Sequence, residues 1–213
     1  MIAVVAGATG LVGEILTRKL LEEPNVRQVK IVVRKAAGFS HPKLSTVSIP
    51  DFKDLESRAD ELRGTHYFCA LGTTIKTAGS RENFRAVDFD AIVQFGHLAS
   101  GHGADLLSVV SAMGANEDSS IFYNQVKGET EKALMALPLK KLRLYRPGLL
   151  LGKRQEHRAG EKFAIQASAA LKLVLPKRWF KALATEASVL AERMIADAKD
   201  RTTGSQVVPA KDI

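Results

Sequence analysis

Three residues in one stretch have the types and spacing for proton transfer to a carbonyl group. They are Ser111, Tyr123 and Lys127, within SVVSAMGANEDSSIFYNQVKGETEKAL (Ser108–Leu134). Tyr123 and Lys127 are four positions apart, so on a helix they share one face. Ser111 ends an apolar, β-branched run twelve positions before Tyr123. A tyrosine has an ordinary pKa of about 10. A lysine ammonium beside it stabilises the phenolate and draws that pKa toward working pH. The same ammonium can hold a ribose hydroxyl, and a serine hydroxyl can orient a carbonyl oxygen. Tyr123 then donates a proton as hydride reaches the carbonyl carbon, or accepts one in reverse. Tyr-x-x-x-Lys alone is a common coincidence, and the chemistry needs a hydride donor elsewhere in the chain.

The N-terminus supplies a place for one. MIAVVAGATGLVG runs an apolar strand into Gly7, Gly10 and Gly13 and then into an amphipathic helix. That is the context of a dinucleotide-binding turn. Gly7 allows the tight turn, Gly10 lets backbone approach a pyrophosphate, and Gly13 lets helix and strand pack closely. The amides and dipole at the start of the Leu11–Glu22 helix would face the phosphates. The spacing is Gly-x-x-Gly-x-x-Gly rather than Gly-x-Gly-x-x-Gly, and the same glycines would also serve a close-packed corner without ligand. The next strand, Ile31-Val32-Val33, ends in Arg34-Lys35. An NAD site usually has a carboxylate there for the ribose hydroxyls. Two cations instead suit a 2′-phosphate, with Arg34 as a planar clamp and Lys35 as added charge. The expected cofactor is therefore NADP(H). Without the glycine turn, the pair reads as two exposed basic residues.

With GATGLVG, Arg34-Lys35, CALGTT (Cys69–Thr74), YNQVKGETE (Tyr123–Glu131) and RPGLLLGKRQEHRAGE (Arg146–Glu161), the chain resembles an atypical short-chain dehydrogenase/reductase. It is most similar to the Tat-interacting oxidoreductase-like group. These segments span most of the chain. The resemblance implies that Thr9, Gly10, Leu11 and Val12 face the pyrophosphate and that Arg34 and Lys35 hold the 2′-phosphate. It implies that Leu71, Gly72 and Thr73, with Thr74 nearby, lie along the cofactor, and that Tyr123 and Lys127 sit at its nicotinamide end. Leu150 and Arg158 match cofactor-contacting positions of the group; Arg158 also reads as a surface arginine. Two features depart from the group. Ser111 is followed by Ala112 where a second serine is common, which leaves the identity of the catalytic serine open. The chain is also shorter than extended dehydrogenases with this glycine spacing, so its substrate part is small and a nucleotide sugar suits it poorly.

The elements that must position these residues are legible as alternating patterns. Strands are expected at Ile2–Ala6, Val29–Val33, Thr46–Ile49, Tyr67–Leu71, Leu106–Val110, Leu142–Tyr145 and Val207-Val208. Helices are expected at Leu11–Glu22, Arg81–Ser100, Phe122–Leu137, Glu161–Leu175 and Thr185–Ala198. Strand–helix alternation marks an α/β, Rossmann-like, doubly wound parallel sheet with helices on both faces. The 213 residues suit a single NAD(P)-binding domain over 1–213. About 148–205 is expected to add a small cap over the C-terminal edge of the sheet. Ser80 and Asp88 read as helix caps or pocket-edge residues.

Composition bounds the rest. The chain is 46% hydrophobic and 25% charged, ordinary for a globular protein. Cys69 is the single cysteine, reads as a small core residue and agrees with a reducing, cytoplasmic setting. No targeting segment or apolar run of about 20 residues is present. The five histidines lack paired ligand spacing, so no metal is expected. The net charge of +8 is spread without a basic block. It reads as a solvated surface first and a phosphate-rich cofactor second, with no motif for nucleic acid. KRWFK (Lys177–Lys181) reads as a loop anchor, or as a contact for a membrane surface or partner. Two functions accommodate these residues: an NADPH-dependent reductase of a small carbonyl compound, or a non-catalytic NADPH-binding regulator that reports redox state to a protein partner. The chain is expected to act as a monomer or homodimer.

Overall fold

A computed structural model describes residues 1–34, 38–152 and 184–213 of the chain. Among them, seven strands form one parallel sheet in the order β3-β2-β1-β4-β5-β6-β9. These are β1 (Ile2–Ala6), β2 (Gln28–Val33), β3 (Leu44–Ser48), β4 (His66–Cys69), β5 (Leu106–Val110), β6 (Lys141–Arg146) and β9 (Gly204–Pro209). The expected doubly wound sheet is therefore present. Its inner strands β1 and β5 read as near-continuous apolar runs because both faces are covered there, as parallel sheets require.

The period of two along each strand sorts the core into two layers. Ala3 and Val5 of β1 face one cluster with Val29, Ile31 and Phe68. Leu16 and Leu20 of α1 (Leu11–Glu22) and Leu190 and Met194 of α6 (Ala187–Lys199) close that side. Val4 and Ala6 face the other, with Tyr67, Cys69, Leu107 and Val109. There the cover is Ile92, Phe95 and Ala99 of α4 (Ile92–Gly101) and Leu134 of α5 (Phe122–Met135). Cys69 is fully buried, as expected.

Several boundaries differ from the sequence pattern. The third strand lies at Leu44–Ser48, and the fourth at His66–Cys69, because the chain leaves the sheet at Ala70 to form the loop before the short helix α2 (Ile75–Ala78). The crossover from β3 to β4 is not a helix but three successive 3-10 turns over residues 52–62. Its sequence, DFKDLESRADEL, buries Leu55 and Leu62 completely. The helix expected at Arg81–Ser100 exists but contains a wide π turn, Ala86–Ala91, between α3 (Arg81–Arg85) and α4. Ser80 caps α3, accepting from the Asn83 amide at 3.1 Å. Asp88 is not at a helix end; it lies inside the π turn and is fully buried.

Within the stretch expected to form a cap, Leu149–Leu151 (β7) and Ala184–Glu186 (β8) pair as a separate two-stranded parallel sheet. Residues 187–199 form α6, which packs beside α1 and ties to it through a 2.9 Å ion pair between Lys19 and Glu192. The helix expected at Glu161–Leu175 and the KRWFK stretch lie outside the described residues. Among the described residues no helix is long and apolar enough to cross a membrane.

Phe95 is fully buried and meets Tyr67 edge-on, with ring centroids 5.5 Å apart. Phe95→Ala removes that contact and leaves a cavity under the sheet. It is expected to lower unfolding stability by about 3–5 kcal/mol, read as a reduced urea midpoint.

Candidate active site

The chain leaves β1 toward β2 on one side and returns to β4 on the other, so the C-terminal ends of β1 and β4 flank a topological switch point. A cavity of about 750 Å³ opens there. Its floor includes Gly7, Thr9, Gly10 and Leu11, and its far wall Ala70, Leu71, Gly72 and Thr73. Val12 and Gly13 lie buried beneath that floor.

The three glycines of the turn have different reasons. Gly7 has φ +83°, and a Cβ on it would fall 2.5 Å from the Ala70 carbonyl group. A Cβ on Gly13 would fall 2.0 Å from the Gly7 oxygen. Both are required by backbone packing. A Cβ on Gly10 would come no closer than 3.3 Å, so its protein neighbours nearly tolerate one. Gly10 lines the cavity, and its missing side chain leaves space on the cavity side. It is also the N-cap of α1, whose amide end receives no side-chain cap. An uncapped helix start beside a cavity suits an anion.

One wall of the cavity is cationic. Arg34 stands at the end of β2 and Lys53 in the turn after β3, and both line the cavity. Among the described residues neither side chain has a polar or aromatic partner. Arg18 lines it too, held 3.0 Å from Glu14 and stacked 4.5 Å over the Phe39 ring. Lys35 lies outside the described residues. The Asp51 carboxylate accepts the Lys53 amide at 3.0 Å and fixes the turn that carries Lys53. Arg18 and Lys53 were not evident in the sequence. Lys53 joins the wall only because β3 pairs beside β2, Val33 opposite Ser48.

Beyond the Gly72 rim stands α5. Tyr123 and Lys127 share one face of it, as the spacing predicts. Lys127 is buried and ion-paired to Asp88, Nζ to Oδ1 at 2.7 Å. The second Asp88 oxygen accepts the Thr73 amide at 2.8 Å. A Cβ on Gly72 would lie 3.5 Å from Asp88 Oδ1 and 3.8 Å from Lys127 Nζ, so the pair faces this loop directly. Tyr123 is half-buried, its ring 5.6 Å from that of Phe84. The expected downward pull of Lys127 on the Tyr123 hydroxyl is present but outweighed. Burial pushes its pKa above the ordinary tyrosine value; Lys127 lowers it, but Asp88 opposes Lys127. The sequence reading missed this partner because Asp88 and Lys127 are 39 positions apart and meet only where the π turn packs on α5.

Ser111 is placed differently from Tyr123 and Lys127. Its hydroxyl donates to buried Glu131 at 2.5 Å. Glu131 also receives Arg146, whose Nη2 is at 2.5 Å and Nε at 3.0 Å. Leu150 lies in β7, half-buried against the α1–α6 core cluster. Arg158 lies outside the described residues. No cluster of metal-ligand residue types occurs among the described residues.

The glycine geometry separates two variants. Gly13→Ala is expected to lose about 3 kcal/mol or more in urea unfolding, since two backbones must move. Gly10→Ala is expected to stay within about 1 kcal/mol of the parent.

No family model matches the chain. The protein HTATIP2 of Rattus norvegicus is 31% identical over 194 residues, spanning 90% of this chain and 78% of that protein. The protein FMP52, mitochondrial, of Candida albicans is 32% identical over 165 residues, spanning 75% and 72%. Among solved structures, MoeE5 in complex with UDP-glucose and NAD matches with a TM-score of 0.75 at 17% identity, covering 98% of this chain and 75% of its own. The Bordetella bronchiseptica enzyme WbmG in complex with NAD matches with a TM-score of 0.69 at 17% identity, covering 98% and 72%. These two show the same fold. Taken with the glycine turn and the Tyr123–Lys127 face, the similarity to the rat protein places the chain in the HTATIP2 family of atypical short-chain dehydrogenases/reductases.

Proposed function

We propose that the protein is an NADP(H)-dependent oxidoreductase that reduces a small carbonyl compound, with Tyr123 as proton donor. The observation that carries the reading is the grouping at the switch point. An uncapped helix start and a cationic wall border one crevice there, and Lys127, ion-paired to Asp88, stands directly behind its Gly72 rim. The bound NAD of MoeE5 and WbmG supports a nicotinamide dinucleotide in this fold. Arg34 and Lys53, neither with a polar side-chain partner among the described residues, support the phosphorylated form. Gly10 and the α1 amides would hold the pyrophosphate, and Lys127 a ribose hydroxyl. The cofactor would supply the hydride. Tyr123 gives its proton to the carbonyl oxygen as the carbon takes that hydride, leaving an alcohol, and the phenolate regains a proton from solvent. A tyrosine kept protonated by burial suits the acid role in reduction.

One observation favours the regulator reading. The Ser111 hydroxyl proton is already given to Glu131, so it is not free to orient a carbonyl group. The two readings part at Tyr123→Phe. For a reductase, turnover falls by at least about a hundredfold while NADPH affinity holds, since general acid catalysis is worth that much. For a regulator, no carbonyl compound is turned over by the parent or the variant, and cofactor and partner binding stay unchanged.

Nicotinamide fluorescence titrations should show tighter binding of NADPH than NADH. Arg34→Ala should weaken NADPH by about tenfold or more and leave NADH nearly unchanged. Equal losses for both would remove Arg34 from the phosphate site. Gly10→Ala, though stable, should weaken both cofactors. In pH–rate profiles, reduction should hold level from about pH 6 to about pH 9, because Tyr123 keeps its proton past the ordinary tyrosine value of about 10. Alcohol oxidation should rise with pH over the same range, since it needs the phenolate.

A further inference from the structure

Asp88 has three separate holds on its surroundings. Its Oδ1 pairs with Lys127 at 2.7 Å, its Oδ2 takes the Thr73 amide at 2.8 Å, and its main-chain oxygen takes the Thr130 hydroxyl at 2.8 Å. Thr73 belongs to the loop after β4, and Lys127 and Thr130 to α5. One fully buried residue thus ties the cofactor-side loop, the π turn and the proton-transfer helix together. The π turn carries it there, a form of helix found often at functional sites.

A buried ion pair contributes little net stability, because desolvation offsets attraction. A bridging role for the fold alone therefore explains its presence poorly. The surroundings of Lys127 explain it better. The ammonium is buried, and the other titratable groups facing it are Tyr123 from its own helix and Cys69 from β4, both neutral at pH 7. Burial pulls its pKa down, and Asp88 is the main opposing influence, with the net result raised.

We propose that Asp88 is the positioning residue of the site: its carboxylate keeps Lys127 cationic and fixes the ammonium beside the Gly72–Thr73 loop. The inference rests on the reading of Tyr123 and Lys127 as the working pair. Because the Asp88–Lys127 unit is neutral overall, Tyr123 has no uncompensated charge beside it and remains an acid, while the ammonium still offers a donor to a ribose.

The test compares the parent with Asp88→Asn and with the double variant Asp88→Asn/Lys127→Met, by urea unfolding from about pH 7 to about pH 10. In the parent, the raised Lys127 pKa contributes stability that is present at neutral pH and lost only as pH rises through the folded value. In Asp88→Asn, the lone buried ammonium has a lowered folded pKa. Stability relative to the parent should then rise with pH, by up to about tenfold in the folding constant per pH unit. The double variant should lose that slope and be more stable than Asp88→Asn at pH 7. NADPH affinity of Asp88→Asn should fall with pH as Lys127 loses its proton, a dependence that the parent lacks. If Asp88→Asn has no slope relative to the parent, or its NADPH affinity follows the parent's pH dependence, the proposal is overturned. If Asp88→Asn fails to fold at pH 7 while the double variant folds, neutralising Lys127 is its role and the proposal stands. If neither folds, Asp88 serves the fold independently of Lys127, and the proposal falls. Should the parent bind neither NADPH nor NADH, the functional reading fails separately, and the unfolding slopes still decide whether Asp88 holds Lys127 charged.

Discussion

Three backbone segments meet at the end of β1 with no side chain between them, and the rest of the site is built outward from that contact. Gly7 lies against the Ala70 carbonyl group, and Gly13 lies against the Gly7 oxygen. The first contact brings the loop after β4 beside the turn; the second seats α1 on the sheet. Any Cβ at either position would separate these elements. Interiors packed like crystals do not absorb such displacements. The crevice at the switch point, the uncapped start of α1 and the position of Gly72 and Thr73 all depend on this approach. Gly10 differs, because a Cβ there would come no closer than 3.3 Å to the protein's own atoms.

The electrostatic organisation follows from α5. Tyr123, Lys127 and Glu131 are spaced four apart along one face, and each is engaged by a different element. Tyr123 packs on Phe84 of α3. Lys127 pairs with Asp88 of the π turn. Glu131 gathers Ser111 from the end of β5 and Arg146 from the end of β6. Gly128 lets the loop after β5 lie directly on this helix, since a Cβ there would fall 2.1 Å from the Glu117 amide. The face is thus enclosed, and within it each ionised group has an opposite charge at hydrogen-bonding distance. A low-dielectric setting disfavours the phenolate, so burial raises the Tyr123 pKa above the ordinary tyrosine value.

Much of this was legible in the sequence, and the reasons are physical. β1, and β5 apart from Ser108, are apolar on both faces because helices cover both, so their limits could be read residue by residue. The glycine turn and the Tyr123–Lys127 spacing were visible because they lie within a few residues of one another on one turn or one helix. The segment over residues 52–62 was not legible: its two anchoring leucines give no helical stripe, and 3-10 turns have no period of their own to detect. The π turn was hidden because the apolar pattern of Arg81–Ser100 also fits an unbroken helix. Lys53, and the pairing of Asp88 with Lys127, were missed for another reason. Their roles come from strand order and helix packing, which bring distant residues together. A burial signal for Asp88 did exist, in a carboxylate set among Phe84, Val87, Phe89 and Ala91.

Ser111 shows how a motif can be present and differently employed. Its position at the end of β5 agrees with the sequence pattern, but its hydroxyl has one proton and gives it to Glu131. The same carboxylate receives Arg146 in a two-point contact, and Arg146 remains partly exposed at the C-terminal edge of β6. The serine therefore belongs to a rigid polar cluster at the mouth of the sheet. A substrate oxygen placed beside Tyr123 would have to displace that bond or rely on Tyr123 and backbone donors. The cluster links the ends of β5 and β6 to α5, whereas Asp88 links the loop after β4 to the same helix. With α5 held from both sides, the Lys127 ammonium, paired with Asp88, keeps a fixed place behind the Gly72 rim of the crevice, so it needs no ordering by binding.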